Sequence, residues 1–205
     1  LSQIKSDGYI DRGTSDLKSF FLSGGLYGKK SILRANVFSG TEKTYQAWNG
    51  VPESLLETNR TYNGFTYEDQ TDNYTQDHYQ LLYSGSLTPL LNINAALHYT
   101  AGRGYYEEFK DDASLSDYGI SPLVIGETLV ENSNLIRRRW LKNDFYGLTY
   151  SVNYTPSPDL NLTLGGAYNE YDGDHFGEVI WAQYASDSRI RHRYYDGNGF
   201  KTDFN

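Results

Sequence analysis

The chain has 205 residues with a net charge of -8, and 38% of its residues are hydrophobic. A surface that binds phosphates needs a basic field, so the acidic balance argues against a nucleic-acid partner. No segment approaches the run of about 20 apolar residues that a membrane helix requires, and a helical membrane protein is therefore excluded. Because the chain has no cysteine, it offers neither a disulfide framework nor a thiolate metal site.

Aromatic residues make up 16% of the chain, and 20 residues are tyrosines. Such an excess suits a membrane β-barrel, whose interfacial girdles place aromatic rings at the headgroups with the Tyr hydroxyl in water. Tyr-rich binding loops of a soluble β-protein would raise the same count. The chain lacks Met and begins at Leu1 without a basic and apolar leader, so we expect a processed or excised segment.

The first hairpin is predicted near the beginning of the chain. Residues 1–5 are expected to end a strand, and residues 6–13 form a polar loop. Apolar side chains alternate over 17–26, a turn is predicted at 28–30, and the alternation resumes over 33–37. This pattern predicts two antiparallel strands joined by a tight turn.

The clearest alternation of the chain lies between residues 74 and 101, after an irregular stretch predicted for 42–73. Two strands of about the length needed to cross a bilayer, roughly 9 to 11 residues, are joined by a turn at Thr88-Pro89-Leu90. Each has one apolar and one polar face. The apolar faces comprise Tyr79, Leu81, Tyr83 and Leu87 in the first strand, and Leu91, Ile93, Ala95, Leu97 and Tyr99 in the second.

A further hairpin follows a second stretch, 102–143, that is predicted to be long, polar and irregular. Residues 144–154 and 160–171 alternate across a turn at 156–159. The tail, residues 172–205, is expected to hold one more loop and a final strand that begins near Arg193.

The connections differ in length at the two ends of the predicted strands. Three turns are very short, whereas the other connections run to roughly thirty or forty residues, far above the usual median of about 4 to 6. Short turns at one end and long loops at the other are typical of an outer-membrane barrel. The expected seven or eight strands make either a small barrel or a portion of a larger one, since barrels begin at about 8 strands and transporters reach about 22.

Several short segments are distributed along the whole chain, at expected strand ends and in outward loops. They are Ser6–Arg12, Thr44–Pro52, Arg60–Asn63, Asp72–Tyr74, Asp77–Gln80, Gly102–Glu107, Arg139–Leu141, Asn143–Gly147 and Gly173–Gly177. In their order and placement, these segments resemble the barrel portion of a TonB-dependent outer-membrane receptor of the sort abundant in Bacteroidetes.

The resemblance implies an active importer in the bacterial outer membrane: a 22-stranded antiparallel up-and-down barrel with short periplasmic turns, long extracellular loops and an N-terminal plug. Its cargo would be a metal chelate, namely a ferric siderophore, haem or cobalamin. Residues 1–205 would form a partial barrel domain without plug, TonB box or signal peptide. The expected partners are the chelate, outer-membrane lipid, the TonB complex through the missing plug and a surface lipoprotein, and the chain is expected to need no cofactor.

Ligand-binding residues are expected among the aromatic and polar side chains of the outward loops, because these would meet a ligand from outside. The run Arg137–Arg139 is suited to the carboxylates or phosphate of a chelate. A salt-bridged or lipopolysaccharide-facing loop base is the favoured interpretation of the same run. The candidates are Trp48, Tyr62, Tyr105, Tyr106, Arg137, Arg138, Arg139, Trp140 and His175.

No metal site is predicted. The segment Asp172–His175 carries possible cation ligands, but Asp-Gly-Asp favours a turn. His78 and His98 alternate onto the polar faces, where hydrogen-bonded wall residues are expected rather than haem ligands. The acidic residues Glu107, Glu108, Asp111 and Asp112 are expected to form a solvated loop, with Ca²⁺ binding as the alternative.

The chain is not expected to be an enzyme. It lacks HExxH, P-loop and G-x-S-x-G motifs, and Gly102-Arg103-Gly104 lacks the third glycine of a dinucleotide site. Three alternatives stand beside the importer: a complete eight-stranded outer-membrane protein with an adhesive or structural role, a soluble glycan-binding β-domain, and an outer-membrane hydrolase without such signatures.

Overall fold

The computed structural model describes residues 1–185, 192–197 and 199–204. Within this part the chain forms β-strands and two short 3-10 turns, Glu53–Leu55 and Leu115–Tyr118. The strands are β1 (Ser2–Ser6), β2 (Ser15–Tyr27), β3 (Ser31–Tyr45), β4 (Thr71–Thr88), β5 (Leu91–Ser114), β6 (Leu123–Ile125), β7 (Thr128–Val130), β8 (Asn132–Ser157), β9 (Leu160–Ala182), β10 (His192–Asp196) and β11 (Gly199–Phe204).

One antiparallel sheet contains all strands except β6 and β7, which form a small separate hairpin. The order is β1-β2-β3-β4-β5-β8-β9-β10, and β11 also pairs with β9. Because β10 and β11 pair with successive parts of β9, they fill one position in the sheet. The predicted antiparallel all-β class is confirmed. Across the described part of the chain, β1 pairs with β2 and not with β10 or β11, so the sheet is open.

The three predicted hairpins are confirmed. The connections are residues 28–30, 89–90 and 158–159, and together they define what we call the turn end of the sheet. At the first of them, the backbone N–H of Gly28 donates to the carbonyl of Ser31 at 2.8 Å. The longer connections, 7–14, 46–70 and 115–131, lie at the opposite end, called the loop end.

The long connections are shorter than predicted, because the strands extend further into them. The stretch expected to be irregular over 102–143 is mostly strand, with only residues 115–131 outside β5 and β8. Likewise, only residues 46–70 separate β3 from β4. Near the loop end, charged and aromatic side chains occupy both faces, so the apolar alternation disappears while the cross-strand pairing continues.

Two local predictions are corrected by the same extension. The segment Asp172–His175 lies within β9 and pairs with Lys142 and its neighbours, so it is not a turn. Glu107 and Glu108 lie within β5 and are buried, so they are not part of a solvated loop. The predicted final strand corresponds to β10, and the loop expected before it falls partly on residues 186–191, which lie outside the described residues.

The two faces of the sheet differ in chemistry. We call the face with Leu81 and Leu97 the apolar face, and the face with Gln80 and His98 the polar face. On the apolar face, side chains that a soluble core would cover are open to the surroundings, and Leu97 is 51% exposed. Others that are similarly exposed are Leu22, Leu26, Leu33, Leu81, Tyr150, Leu162 and Leu164.

The polar face is held by cross-strand hydrogen bonds. Ser23 donates to Asn36 at 2.7 Å, and Asn36 donates to Gln80 at 3.1 Å. Nearer the turn end, Ser84 donates to Asn94 at 2.7 Å. Open grooves lie on this face, and one of them is lined by Arg34, Ser84, Asn94 and Thr149. Neighbouring polar side chains therefore satisfy one another across the strands, while space remains above them.

Buried apolar side chains collect at the loop end rather than in the middle of the sheet. The cluster comprises Leu115, Tyr118, Ile120, Leu135 and Val179. It packs the turn after β5 against β8 and β9, and thus fixes the connection 115–131. No helix in the described ranges is long and apolar enough to cross a membrane.

Candidate functional site

Most of the predicted ligand-binding residues lie on strands, not in loops. Trp48 and Tyr62 belong to the connection 46–70, whereas the remaining seven are in β5, β8 and β9. Strand alternation then separates these seven onto opposite faces. The apolar face holds Tyr105, Arg138 and Trp140, and the polar face holds Tyr106, Arg137, Arg139 and His175. The expected placement in outward loops is therefore correct for Trp48 and Tyr62 and wrong for the other seven residues.

Two arginines of the run, Arg137 and Arg138, form ion pairs within the sheet. Arg138 donates through Nε to Glu107 Oε2 at 2.7 Å, and Arg137 Nη2 lies 2.7 Å from Glu108 Oε2. The two glutamates are only 4% and 6% exposed, so their carboxylates need cationic partners: Arg138 for Glu107, and Arg137 together with Lys110 Nζ at 3.1 Å for Glu108. These pairs support the salt-bridged interpretation for Arg137 and Arg138, whereas the Arg139 guanidinium lies over the Tyr106 ring. The pairs leave neither Arg137 nor Arg138 as a free anchor for an incoming carboxylate.

Aromatic rings extend this arrangement across the apolar face. The Tyr105 and Trp140 ring centroids are 4.6 Å apart, and Trp140 stacks on Phe176 at 5.8 Å. The guanidinium of Arg138 lies 4.2 Å from the Tyr105 centroid, and Lys142 Nζ lies 5.0 Å from that of Phe176. These cation–π and stacking contacts brace the strands at the loop end.

On the polar face, the connection 46–70 packs against the sheet. The ring of Trp48 meets that of Tyr106 edge-on at 5.2 Å, and the Arg139 guanidinium lies 5.7 Å from the Tyr106 centroid. Tyr62 lies further along the same connection and is 36% exposed. The fold thus brings Trp48, Tyr106 and Arg139 together on the polar face, as it brings Tyr105, Arg138 and Trp140 together on the apolar face.

Buried amide groups anchor this connection. Gln46 donates through Nε2 to the backbone oxygen of Glu107 at 2.9 Å, and Gln70 donates to Gln46 Oε1 at 3.1 Å. The Tyr67 hydroxyl donates to Glu107 Oε1 at 2.7 Å. Burial, together with this hydrogen bond to a carboxylate, raises the pKa of Tyr67 well above its ordinary value. The connection is therefore held by specific hydrogen bonds to the strand that bears the ion-paired glutamates.

His175 belongs to a hydrogen-bonded group that the sequence analysis did not assemble. Its Nε2 lies 2.8 Å from Asn143 Oδ1 and 3.0 Å from the Tyr171 hydroxyl. Tyr171 donates to the same Asn143 oxygen at 2.5 Å, and Asn143 Nδ2 donates to the Tyr74 hydroxyl at 3.2 Å. All four side chains are half-buried on the polar face. We call them the Tyr74–His175 group.

Glycines create the space for this group. A Cβ on Gly102 would lie 1.9 Å from the Tyr74 hydroxyl oxygen, and one on Gly173 would lie 2.7 Å from that of Tyr171. Both tyrosine rings therefore lie over the backbone of a glycine, where no Cβ is present, and their hydroxyl groups extend toward Asn143. The sequence contains a signal for the position of the Tyr171 ring along its own strand, namely the alternation Tyr171-x-Gly173-x-His175. The partners of this group on neighbouring strands depend on the register of the sheet.

His78 and His98, which were predicted to be wall residues, are hydrogen-bonded as expected. His78 Nδ1 lies 3.0 Å from Thr100 Oγ1, and its ring stacks on Phe38 at 4.3 Å. His98 Nε2 lies 2.9 Å from Asn169 Oδ1. Within the described ranges, no group of three or more His, Asp or Glu side chains is arranged to hold a metal ion.

Comparison with known proteins adds no identification. A scan against models of protein families and a search of curated proteins both found no match to this chain.

Proposed function

We propose that the chain forms part of the wall of a transmembrane β-barrel in the bacterial outer membrane, within a TonB-dependent importer of a metal chelate. The observation that carries the proposal is the exposed apolar face opposite a hydrogen-bonded polar face on one continuous sheet. Bilayer lipid would cover the apolar face, and a wet lumen would meet the polar face.

The dimensions of the apolar face support a membrane-spanning wall. On β5 the side chains of the apolar face run from Leu91 to Tyr99, and each forms a row with its cross-strand partners. The partners of these two residues on β8 are Tyr154 and Tyr146. At about 3.4 Å per residue these rows extend about 27 Å along the strand, which a tilt of about 40° reduces to about 21 Å. This is close to the apolar band of about 25 Å of outer-membrane barrels.

The asymmetry of the connections gives the wall a direction. The turn end has only the short turns, whereas the loop end carries the connections 46–70 and 115–131. In outer-membrane barrels the short turns are periplasmic and the long loops are extracellular. We therefore assign the loop end, with Trp48 and the arginine run, to the cell exterior.

The import of a chelate rests on the resemblance of the sequence to TonB-dependent receptors. In that mechanism the outer loops capture a ferric siderophore, haem or cobalamin, and TonB rearranges a plug that lies outside residues 1–205. The exposed Trp48 beside Tyr106 and Arg139 offers an aromatic and cationic surface for such a ligand. Binding of each chelate to full-length protein, with Trp48→Ala as the variant, tests this part.

A matched pair of cysteine variants tests the membrane orientation. The native chain has no cysteine, and the neighbours Ala95 and Ala96 lie on the apolar and polar faces respectively. In isolated outer membranes, we expect Ala96→Cys to react with a membrane-impermeant maleimide and Ala95→Cys to react only with a lipid-soluble one. Equal reaction of both variants with the impermeant reagent would exclude a lipid-covered apolar face.

A complete eight-stranded barrel is the second candidate, because the sheet has eight strand positions when β10 and β11 are counted as one. That arrangement requires β1 to pair with β10 and β11. A disulfide formed between cysteines introduced in β1 and β11 would favour this small barrel over a wall that continues into further strands.

A further inference from the structure

We propose that the Tyr74–His175 group is a coordination site for iron(III) on the polar face, with Tyr171, Asn143 and His175 as ligands. The inference rests on the proposed function for the lumen that this face would line and for a cargo that contains iron. The site itself is inferred from the donor atoms and their separations.

The three donor atoms form a compact triangle whose edges are hydrogen-bond distances. Tyr171 Oη, Asn143 Oδ1 and His175 Nε2 are separated by 2.5, 2.8 and 3.0 Å. Around a metal ion with bonds of about 2.0 to 2.1 Å, neighbouring octahedral donors are about 2.9 Å apart. Neighbouring tetrahedral donors at the same bond length are about 3.3 Å apart. The three hydrogen-bonded atoms are therefore close enough to become facial octahedral ligands once the shortest separation widens by about 0.4 Å.

The chemistry of the donors selects the metal. A phenolate is a hard, anionic oxygen, an amide carbonyl is a hard neutral oxygen, and imidazole binds iron well. This combination suits a hard trivalent ion that retains open positions for other ligands. Calcium prefers several carboxylates or carbonyls, and zinc is bound by thiolate, imidazole and carboxylate ligands, of which this group has only the imidazole. Iron(III) is therefore the ion that best fits the group.

The surrounding side chains keep these donors in place. Asn143 Nδ2 donates to the Tyr74 hydroxyl, which directs Asn143 Oδ1 toward Tyr171 and His175. Tyr74 is thus a positioning residue, and Gly102 leaves the space in which its ring lies. The ligands come from β8 and β9, which are paired along most of their length, so the site sits on rigid backbone.

Binding exchanges protons for metal bonds without a change of oxidation state. In the metal-free protein, Asn143 Oδ1 accepts from Tyr171, and His175 Nε2 carries a hydrogen toward the same oxygen. When iron(III) binds, the phenol releases its proton to solvent. The imidazole hydrogen moves to Nδ1 through solvent, and Nε2 becomes a ligand. The remaining coordination positions would be filled by water or by donors of the incoming chelate.

The test uses the full-length protein purified from outer membranes, with iron(III) nitrilotriacetate as the probe. We expect a visible phenolate-to-iron(III) charge-transfer absorption that saturates with one iron per chain. Tyr171→Phe should abolish this absorption. His175→Ala should keep the absorption but weaken iron binding at least tenfold, and Tyr74→Phe should weaken it about tenfold, as expected for a side chain that orients a ligand.

Tyr99→Phe is the matched control, because Tyr99 lies on the apolar face and donates to Asp144 at 2.6 Å. It should leave the absorption unchanged. Absence of the absorption in the native protein, or its persistence in Tyr171→Phe, would overturn the proposal. Should Tyr171→Phe lose its heat-modifiable fold, unchanged iron affinity in His175→Ala would overturn it instead. The cysteine labelling of Ala95 and Ala96 reports separately on the membrane wall, so the two proposals can fail independently.

Discussion

Placing a charge at the centre of the apolar face tests whether lipid covers it. Ala95 occupies the middle of the five rows from Leu91 to Tyr99 and pairs with Tyr83 and Tyr150. An arginine at the midplane of an outer-membrane barrel costs about 2 to 4 kcal/mol, and the cost falls to about 0 to 1 kcal/mol near the interfaces. We therefore expect Ala95→Arg to lower the free energy of unfolding by about 3 kcal/mol.

The adjacent Ala96 provides the control. It lies on the polar face, between Leu82 and Thr149. A long cationic side chain there can extend into water, so Ala96→Arg should change the free energy of unfolding by no more than about 0.5 kcal/mol. Both variants would be folded into phospholipid vesicles and unfolded with urea, with tryptophan fluorescence as the signal. Equal costs for the two variants, or no cost for Ala95→Arg, would refute the assignment of the apolar face to lipid.

Three further predictions concern the loop end. Glu108→Ala removes the carboxylate that lies 2.7 Å from Arg137 Nη2. In urea titrations this variant should have a free energy of unfolding lower by about 3 kcal/mol, and a loss below about 0.5 kcal/mol would contradict the burial of the pair. Trp48→Ala removes the edge-on contact with Tyr106 and should loosen the connection 46–70 by about 0.5 to 1.5 kcal/mol; limited proteolysis should then cut this connection faster while the sheet resists. Burial raises the pKa of Asp72, so the native state binds the carboxyl proton more tightly than the unfolded chain does. The free energy of unfolding should therefore fall as the pH rises from the ordinary pKa of an aspartate through the raised pKa of Asp72. Asp72→Asn should remove this fall, and an unchanged pH profile of unfolding in the variant would refute the prediction.

The strand pattern near the turn end could be read directly from the sequence. Leu81, Leu97 and the residues that alternate with them predict one apolar and one polar face, because side chains along a strand point to opposite sides in turn. Pro89 and the lysines of the turn at 28–30 mark the short connections. These features are local, so neighbouring residues alone determine them.

The loop end could not be read in the same way. Tyr105, Glu107, Arg138 and Trp140 form regular cross-strand pairs, but their sequence has no apolar alternation and was predicted to be a loop. What keeps it in the sheet is the pairing of Glu107 with Arg138 and of Tyr105 with Trp140, and each pair joins residues far apart in the chain. Such partners become visible only when the register is known.

The same reason explains which site residues the sequence revealed. It selected His175 and the arginine run by residue type, and the alternation of β8 then placed Arg138 and Arg137 on opposite faces. The amino-acid pattern does not indicate that Tyr74 and Asn143 lie beside His175. Their contact depends on the register of β4, β5, β8 and β9, and on the absence of a Cβ at Gly102, where the Tyr74 ring lies. The sequence by itself therefore determined the strands and the character of the two faces. The tertiary structure alone decided which side chains meet, because hydrogen bonds across a sheet connect residues whose separation along the chain carries no periodic signal.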